Sequence, residues 1–187
     1  HTIIAVDHPG HGRTGVVEQA SEYRFENTID AVAAVLSRLG HDRVDVLGYS
    51  MGGRLALGLA IQHPQRVQRS VLVSASAGVA DNAQRTARRR ADDQLAEELL
   101  ERGIEWFVDY WMGLPMFASQ NRLHPDILEA SRRQRLENDP RGLARSLRGA
   151  GSGNQPPLWR RLDEVAGPVL IVVGEEDTQF RSLGVRM

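Results

Sequence analysis

A serine between two glycines, at the junction of an apolar strand-like run and an apolar helix-like run, restricts the fold of this chain more than any other feature. The motif is Gly48-Tyr49-Ser50-Met51-Gly52, and the apolar run before it is 44–47. A turn this sharp requires glycine on both sides of the serine and holds the serine in a strained conformation with its hydroxyl exposed. The pattern is typical of a nucleophile elbow. A glycine-rich turn with a bystander serine is the alternative.

Short apolar strands alternate with helices over the first 81 residues. The predicted helices run from Asn27 or Thr28 to Leu39, where Gly40 follows, and from Arg54 to Gln62. The predicted strands are 2–6, 44–47 and 70–73. This alternation favours an α/β fold with a mostly parallel sheet and helices on both faces.

The middle of the chain, residues 82–148, is charged, rich in arginine and helical by the spacing of its apolar residues. Residues 97–100 and 106–111 suggest two amphipathic helices, and Pro125 to Leu136 suggests a third. We interpret the whole segment as a helical lid insertion that lies over the sheet. A loop at 149–157, a short helix at 158–162 and a last strand at 169–173 follow. The chain therefore divides into a first part of the core (1–81), the insertion (82–148) and a second part of the core (149–187).

Composition excludes several classes of function. The formal net charge of -1 in 187 residues gives no reason to expect binding to nucleic acid or to an anionic membrane. The chain has no cysteine, which excludes disulfides and fits a reducing, cytoplasmic location. His8 and His11 are the only close histidine pair, and turn chemistry explains their loop better than metal binding. We expect no metal and no cofactor.

The order of these elements resembles the α/β-hydrolase superfamily over the whole chain. Within that superfamily, five segments are similar to the 2-succinyl-6-hydroxy-2,4-cyclohexadiene-1-carboxylate synthases of menaquinone biosynthesis. These segments are 48–54, 107–111, 142–149, 153–159 and 173–180. The serine motif alone indicates only the hydrolase fold. The stretch 142–159 is the signal more specific to the synthases.

This resemblance implies a lyase that removes a proton beside a ketone and eliminates pyruvate from 2-succinyl-5-enolpyruvyl-6-hydroxy-3-cyclohexene-1-carboxylate. It implies that Ser50 is the catalytic nucleophile or base and that Asp177 orients a histidine. The backbone N–H of Met51 would be an oxyanion donor. Two alternatives remain open: a serine ester or carbon–carbon hydrolase of the same fold, and a non-catalytic protein that binds an acidic metabolite.

A small-molecule substrate with several carboxylates requires cationic partners when it leaves water, because an unpaired buried charge is costly. All 23 basic residues of the chain are arginine, which binds carboxylates through two N–H groups at once. Arg54 lies one helical turn after Ser50. By resemblance, the substrate-binding residues are Tyr49, Arg54, Arg88, Arg89, Trp111 and Arg135. The alternatives are a solvated helix face for the arginines and core packing for Trp111.

The catalytic histidine is missing from this pattern. The chain order in this fold is serine, acid, histidine, yet none of the six histidines follows Asp177. We therefore expect that the chain lacks strands at both ends of the fold and that these residues alone are inactive. We also expect them to fold poorly, because unpaired sheet edges and apolar helix faces would be exposed. The sequence makes no prediction of oligomeric state.

Overall fold

A parallel three-stranded sheet forms the centre of the described residues, as the alternation of elements predicts. The computed structural model describes residues 2–187. The strands are β1 (Val44–Tyr49), β2 (Val67–Val73) and β3 (Val169–Val172), in the order β1-β2-β3. Both pairs are parallel, with Gly48 opposite Leu72 and Leu72 opposite Ile171. Because the strands are parallel, their carboxyl ends lie at one edge of the sheet, where ligands bind in open α/β folds.

Six α-helices lie within residues 2–187, and most of them match the predicted ones. They are α1 (Phe25–Arg38), α2 (Met51–Gln62), α3 (Asn82–Met112), α4 (Pro125–Leu136), α5 (Pro140–Ala150) and α6 (Thr178–Arg186). Helix α1 begins before the predicted caps, and the side chains of Asn27 and Thr28 instead donate hydrogen bonds back to the carbonyls of Ser21 and Glu22. The sequence analysis did not predict α6.

Helix α2 is the centre of the main core. Most of its residues are buried, including Leu57 and Leu59, and it packs between α1 and the sheet. Ile29 of α1 approaches α2 at Gly58, where an added Cβ would lie 2.3 Å from the Ile29 Cδ1 atom. An apolar helix buried on nearly all sides is held in a fixed orientation, and this fixes the position of Ser50 at its start.

A second, smaller core lies between α3 and α5. Its buried residues are Ala96 and Leu99 from α3 and Leu143 and Ala144 from α5. Helix α3 is broken at Gly103, whose φ of 86° and ψ of 176° are not helical. The break gives the two amphipathic helical segments that the apolar spacing predicts, because glycine adopts positive φ without a steric penalty.

The predicted strand at 2–6 is wrong, because this segment has no regular secondary structure. A strand exists only through hydrogen bonds to a neighbouring strand. Among the described residues, segment 2–6 does not pair with β1; a cleft of about 680 Å³ lies between them. The β-branched residues therefore give this segment strand propensity, but it has no neighbouring strand to pair with among the described residues.

The turn around Ser50 has the conformation that the motif predicts. Ser50 has a φ of 51°, which is unusual for a residue other than glycine. A Cβ at Gly48 would lie 2.2 Å from the carbonyl oxygen of Gly52, and a Cβ at Gly53 would lie 2.6 Å from the Ala75 Cβ. Gly52 itself has no neighbour within 4 Å of an added Cβ. The steric requirement for glycine therefore falls on positions 48 and 53, and the expected collision at 52 is not found.

We predict opposite effects for alanine at the two glycines of the motif. Gly48→Ala should lower the free energy of unfolding by about 2–4 kcal/mol, because its methyl group would meet a backbone oxygen that cannot move away. Gly52→Ala should be neutral or stabilise by up to about 1 kcal/mol, because it replaces a helical glycine in open space. Chemical denaturation of the complete natural chain measures both values, and equal losses would contradict the geometry.

We also predict a stability loss at acidic pH that depends on His8. Its Nδ1 is buried and has no partner among the described residues. Burial lowers the pKa of His8 to about 4; the nearby charge of His11 acts in the same direction and that of Asp7 opposes it. Between pH 6.5 and pH 4 the unfolded chain therefore binds a proton that the native chain does not. The free energy of unfolding should fall by up to about 3 kcal/mol across this window.

Denaturation of the complete natural chain and its His8→Asn variant, from pH 7 to pH 4, measures this loss. Over this pH range the free energy of unfolding should fall by up to about 3 kcal/mol less in the variant than in the wild type. Equal slopes in the two proteins would show that His8 is not responsible.

Candidate active site

Ser50 lies at the carboxyl edge of the sheet and caps the start of α2. Its backbone N–H donates to the carbonyl of Val73 at the end of β2, at 2.8 Å. The side chain is half-buried. Met51 is the first residue of α2, so its backbone N–H has no acceptor within the helix and is free to receive a negative oxygen. The side chain of Met51 packs against the main core.

Arg54 is held against the end of α5 and the loop that follows it. Its Nη1 donates to the carbonyl of Ala150 at 3.0 Å and to the Oε1 of Gln155 at 2.9 Å. Helical side chains lean toward the N-terminus, so Arg54 lies over the turn that begins at Ser50. Burial lowers the pKa of Arg54 to about 10, while the carboxylate of Asp92 acts in the opposite direction. The guanidinium therefore remains cationic at neutral pH.

A buried carboxylate brings the insertion and the loop together. The side chain of Asp92 in α3 accepts from Nε and Nη2 of Arg88, with Nε at 2.9 Å, and from the backbone N–H of Gly153 at 3.2 Å. Arg89 donates to the Gly153 carbonyl at 3.4 Å. Arg54 contacts Ala150 and Gln155, on either side of Gly153, so the loop links Arg54 to the pair of Arg88 and Asp92.

Glycines allow the loop to approach α3 this closely. A Cβ at Gly151 would lie 2.3 Å from the Leu147 carbonyl oxygen and 2.7 Å from a carboxylate oxygen of Asp92. A Cβ at Gly153 would lie 2.3 Å from the backbone nitrogen of Arg89. This contact gives a physical role to the stretch 142–159, which carries the more specific resemblance.

Asp177 lies at the same edge of the sheet as Ser50. It follows β3 and caps α6, and its Oδ1 accepts from the backbone N–H of Phe180 at 3.0 Å. Ser50 follows β1, two strand spacings from β3, which is about 10 Å. Asp177 itself lies five residues after the end of β3. None of the histidines in residues 2–187 hydrogen-bonds to Ser50 or Asp177.

The remaining predicted residues have contacts of other kinds. Tyr49 ends β1 and its side chain is 56% exposed at the edge of the sheet. Trp111 stacks on Phe107 with ring centroids 5.7 Å apart and also contacts Phe117. Arg135 donates to the carbonyl of Ser131 on its own helix at 3.0 Å. The loop after α5 thus links Arg54 to the Arg88–Asp92 pair, while Arg135 and Trp111 have separate local contacts.

Two residues of this arrangement were not predicted. Asp92 is fully buried, and its position four residues after Arg88 was a signal for a helical ion pair that the sequence analysis did not use. Gln155 is also fully buried, and it belongs to the motif Gly153-Asn154-Gln155-Pro156 without having been singled out. Its Nε2 has no partner among the described residues.

Two other kinds of site are absent from the described part of the chain. No group of three or more histidine, cysteine or acidic side chains is arranged to hold a metal ion in residues 2–187. No helix in this range has the length and apolar character needed to cross a membrane.

Comparison with known proteins gives consistent matches over nearly the whole chain. The family model described as alpha/beta hydrolase fold matches residues 1–184. A Bacillus subtilis (strain 168) protein, provisionally named 2-succinyl-6-hydroxy-2,4-cyclohexadiene-1-carboxylate synthase, is 40% identical over 95% of this chain and 65% of its own length. The synthase of that name from Serratia proteamaculans (strain 568) is 30% identical over 96% of this chain and 69% of its own length.

A solved structure agrees with these relatives. The structure of MenH from S. aureus superposes with a TM-score of 0.91 at 36% sequence identity, and the match covers 97% of this chain and 68% of that one. The chain thus spans about two thirds of the length of the relatives it matches. It belongs to the α/β-hydrolase fold family and, within that family, is similar to the 2-succinyl-6-hydroxy-2,4-cyclohexadiene-1-carboxylate synthases.

Proposed function

We propose that this chain belongs to a carbon–oxygen lyase of menaquinone biosynthesis. The substrate would be 2-succinyl-5-enolpyruvyl-6-hydroxy-3-cyclohexene-1-carboxylate and one product pyruvate. The observation that carries the proposal is a strained serine at the start of the helix that also carries the buried, cationic Arg54, whose loop contacts adjoin the Arg88–Asp92 pair. The names of the relatives support the same reaction.

The reaction needs a base, a group that stabilises a negative oxygen, and cations for the carboxylates. Ser50, relayed to a histidine that Asp177 orients, would remove the proton beside the ketone. The electron pair released forms a double bond to the next ring carbon, the existing ring double bond shifts by one position, and the carbon–oxygen bond to the enolpyruvyl group breaks. This group leaves as the enolate of pyruvate, which takes up a proton on its methylene carbon to give pyruvate. The N–H of Met51 would stabilise the enolate-like oxygen that develops. Arg54 and Arg88 would bind substrate carboxylates.

A hydrolase of the same fold is the alternative function, because the elbow and the acid at the end of β3 are also the parts of an acyl-transfer site. The arginines favour the lyase. An ester with one acyl group does not require the buried cation of Arg54 on the helix that begins at the serine, whereas a substrate with several carboxylates does. A non-catalytic protein that binds an acidic metabolite would keep the arginines and would not require the strained serine.

We predict that the complete natural chain releases pyruvate from the enolpyruvyl substrate and that this activity depends on Ser50 and Asp177. Ser50→Ala should lower kcat/KM by about 10³-fold, and Asp177→Asn by about 10²–10⁴-fold. A coupled assay with lactate dehydrogenase measures the pyruvate. Glu175→Gln is the matched control, since it removes an exposed carboxylate two residues from Asp177 and should leave the rate unchanged.

No pyruvate release from a folded wild-type protein at any pH would reject the lyase. A burst of product from an activated ester, with covalent labelling of Ser50, would then assign the hydrolase function instead. Tight binding of the substrate without turnover of either compound would assign the non-catalytic function.

We predict that Arg54→Lys raises KM about tenfold and changes kcat by less than about threefold. Lysine keeps the charge but cannot contact Ala150, Gln155 and a substrate carboxylate with one planar group. The pyruvate assay gives both constants. Arg43→Lys is the control, because Arg43 is exposed and directly precedes β1, at the edge of the sheet opposite the site. A fall in kcat at unchanged KM would show that Arg54 acts in the transition state alone.

A further inference from the structure

We propose that Asp92 is a positioning residue, which fixes the Arg88 guanidinium so that its outer edge binds a substrate carboxylate. This inference rests on the proposed function, in that Arg88 is taken to meet an anionic substrate. It adds a residue on the insertion that does not touch the substrate itself and acts through Arg88.

The carboxylate of Asp92 uses both of its oxygens within the protein. Oδ1 accepts from two nitrogens of Arg88, and Oδ2 accepts from the Gly153 N–H. The residue is 0% exposed. A buried carboxylate is stable only when it is paired with a cation and its lone pairs are satisfied, and here both conditions are met. Asp92 is therefore fixed from two directions, by its own helix and by the loop after α5.

The Arg88 guanidinium is fixed on one edge and open on the other. Its Nε and Nη2 face Asp92, while the side chain as a whole is 44% exposed. Among residues 2–187, no acceptor is recorded for its Nη1. Because the guanidinium is planar and rigid, fixing two nitrogens also fixes the direction of the third. A carboxylate that arrives at the open edge meets a donor that has already lost its rotational freedom.

A purely structural role for Asp92 makes a different prediction. In that case its removal would lower stability whatever residue stands at position 88, and ligand affinity would change only through unfolding. Loss of a negative charge by itself would tighten the binding of an anion. The positioning role predicts weaker binding, and only while Arg88 is present.

The test uses the complete natural chain and citrate as the polycarboxylate probe, with binding measured by isothermal titration calorimetry. Asp92→Asn should weaken citrate binding about tenfold, because its amide satisfies either Arg88 or Gly153 but not both. Arg88→Met should weaken binding by a similar factor. The double variant should bind no more weakly than Arg88→Met alone, since Asp92 acts through Arg88. Asp93→Asn, which removes the same charge one residue along, should bind citrate within about twofold of the wild type.

Arg88→Lys keeps the test decisive if Asp92→Asn does not fold. Lysine retains the charge but not the two-nitrogen contact with Asp92, so it should weaken citrate binding nearly as much as methionine. The proposal would be overturned if Asp92→Asn bound citrate as tightly as the wild type or more tightly. It would also be overturned if Asp92→Asn weakened citrate binding equally in the Arg88→Met background, if Arg88→Lys kept wild-type affinity, or if the wild type did not bind citrate. Pyruvate release by the wild type is measured separately, so failure of the lyase function is not confused with failure of the Asp92 role.

Discussion

Close contact between backbones at glycine positions is the constraint on which the rest of this site depends. At the elbow, Gly48 and Gly53 let β1, the turn and α2 approach within distances that exclude a methyl group. At the insertion, Gly151 and Gly153 do the same for the loop after α5 and the helix α3. The first contact fixes the serine and the second fixes the arginines. Both contacts are close packing of backbone atoms. They orient the serine hydroxyl and the arginine side chains, which would otherwise be free to turn toward solvent.

The parts of the fold that local sequence determines were predictable. Helix α4 (Pro125–Leu136) was predicted with its observed bounds because proline begins it and an apolar period runs through it. The strained conformation of Ser50 followed from its two flanking glycines and the apolar runs on either side. These features need only neighbours in the chain.

The parts that depend on distant contacts were not predictable in the same way. Residues 2–6 have strand propensity but pair with no strand among the described residues. Asp92 lies in a segment so rich in charge that it resembles a solvated face, and only the loop from Gly153 makes it a buried residue. The motif around Gln155 was recognised by resemblance, while its contact with Arg54 spans 101 positions in the chain. Long-range pairing of this kind has no local signal.

Gly103 determines where the second half of the insertion lies. An unbroken helix of 31 residues would be about 46 Å long and would extend beyond a domain of this size. Because the chain turns at Gly103, Trp106 and Phe107 pack against the same small core as Leu99, instead of extending into solvent. One backbone dihedral thus decides whether the second half of α3 returns to the small core or extends away from it as an isolated helix, with its aromatic rings left in water.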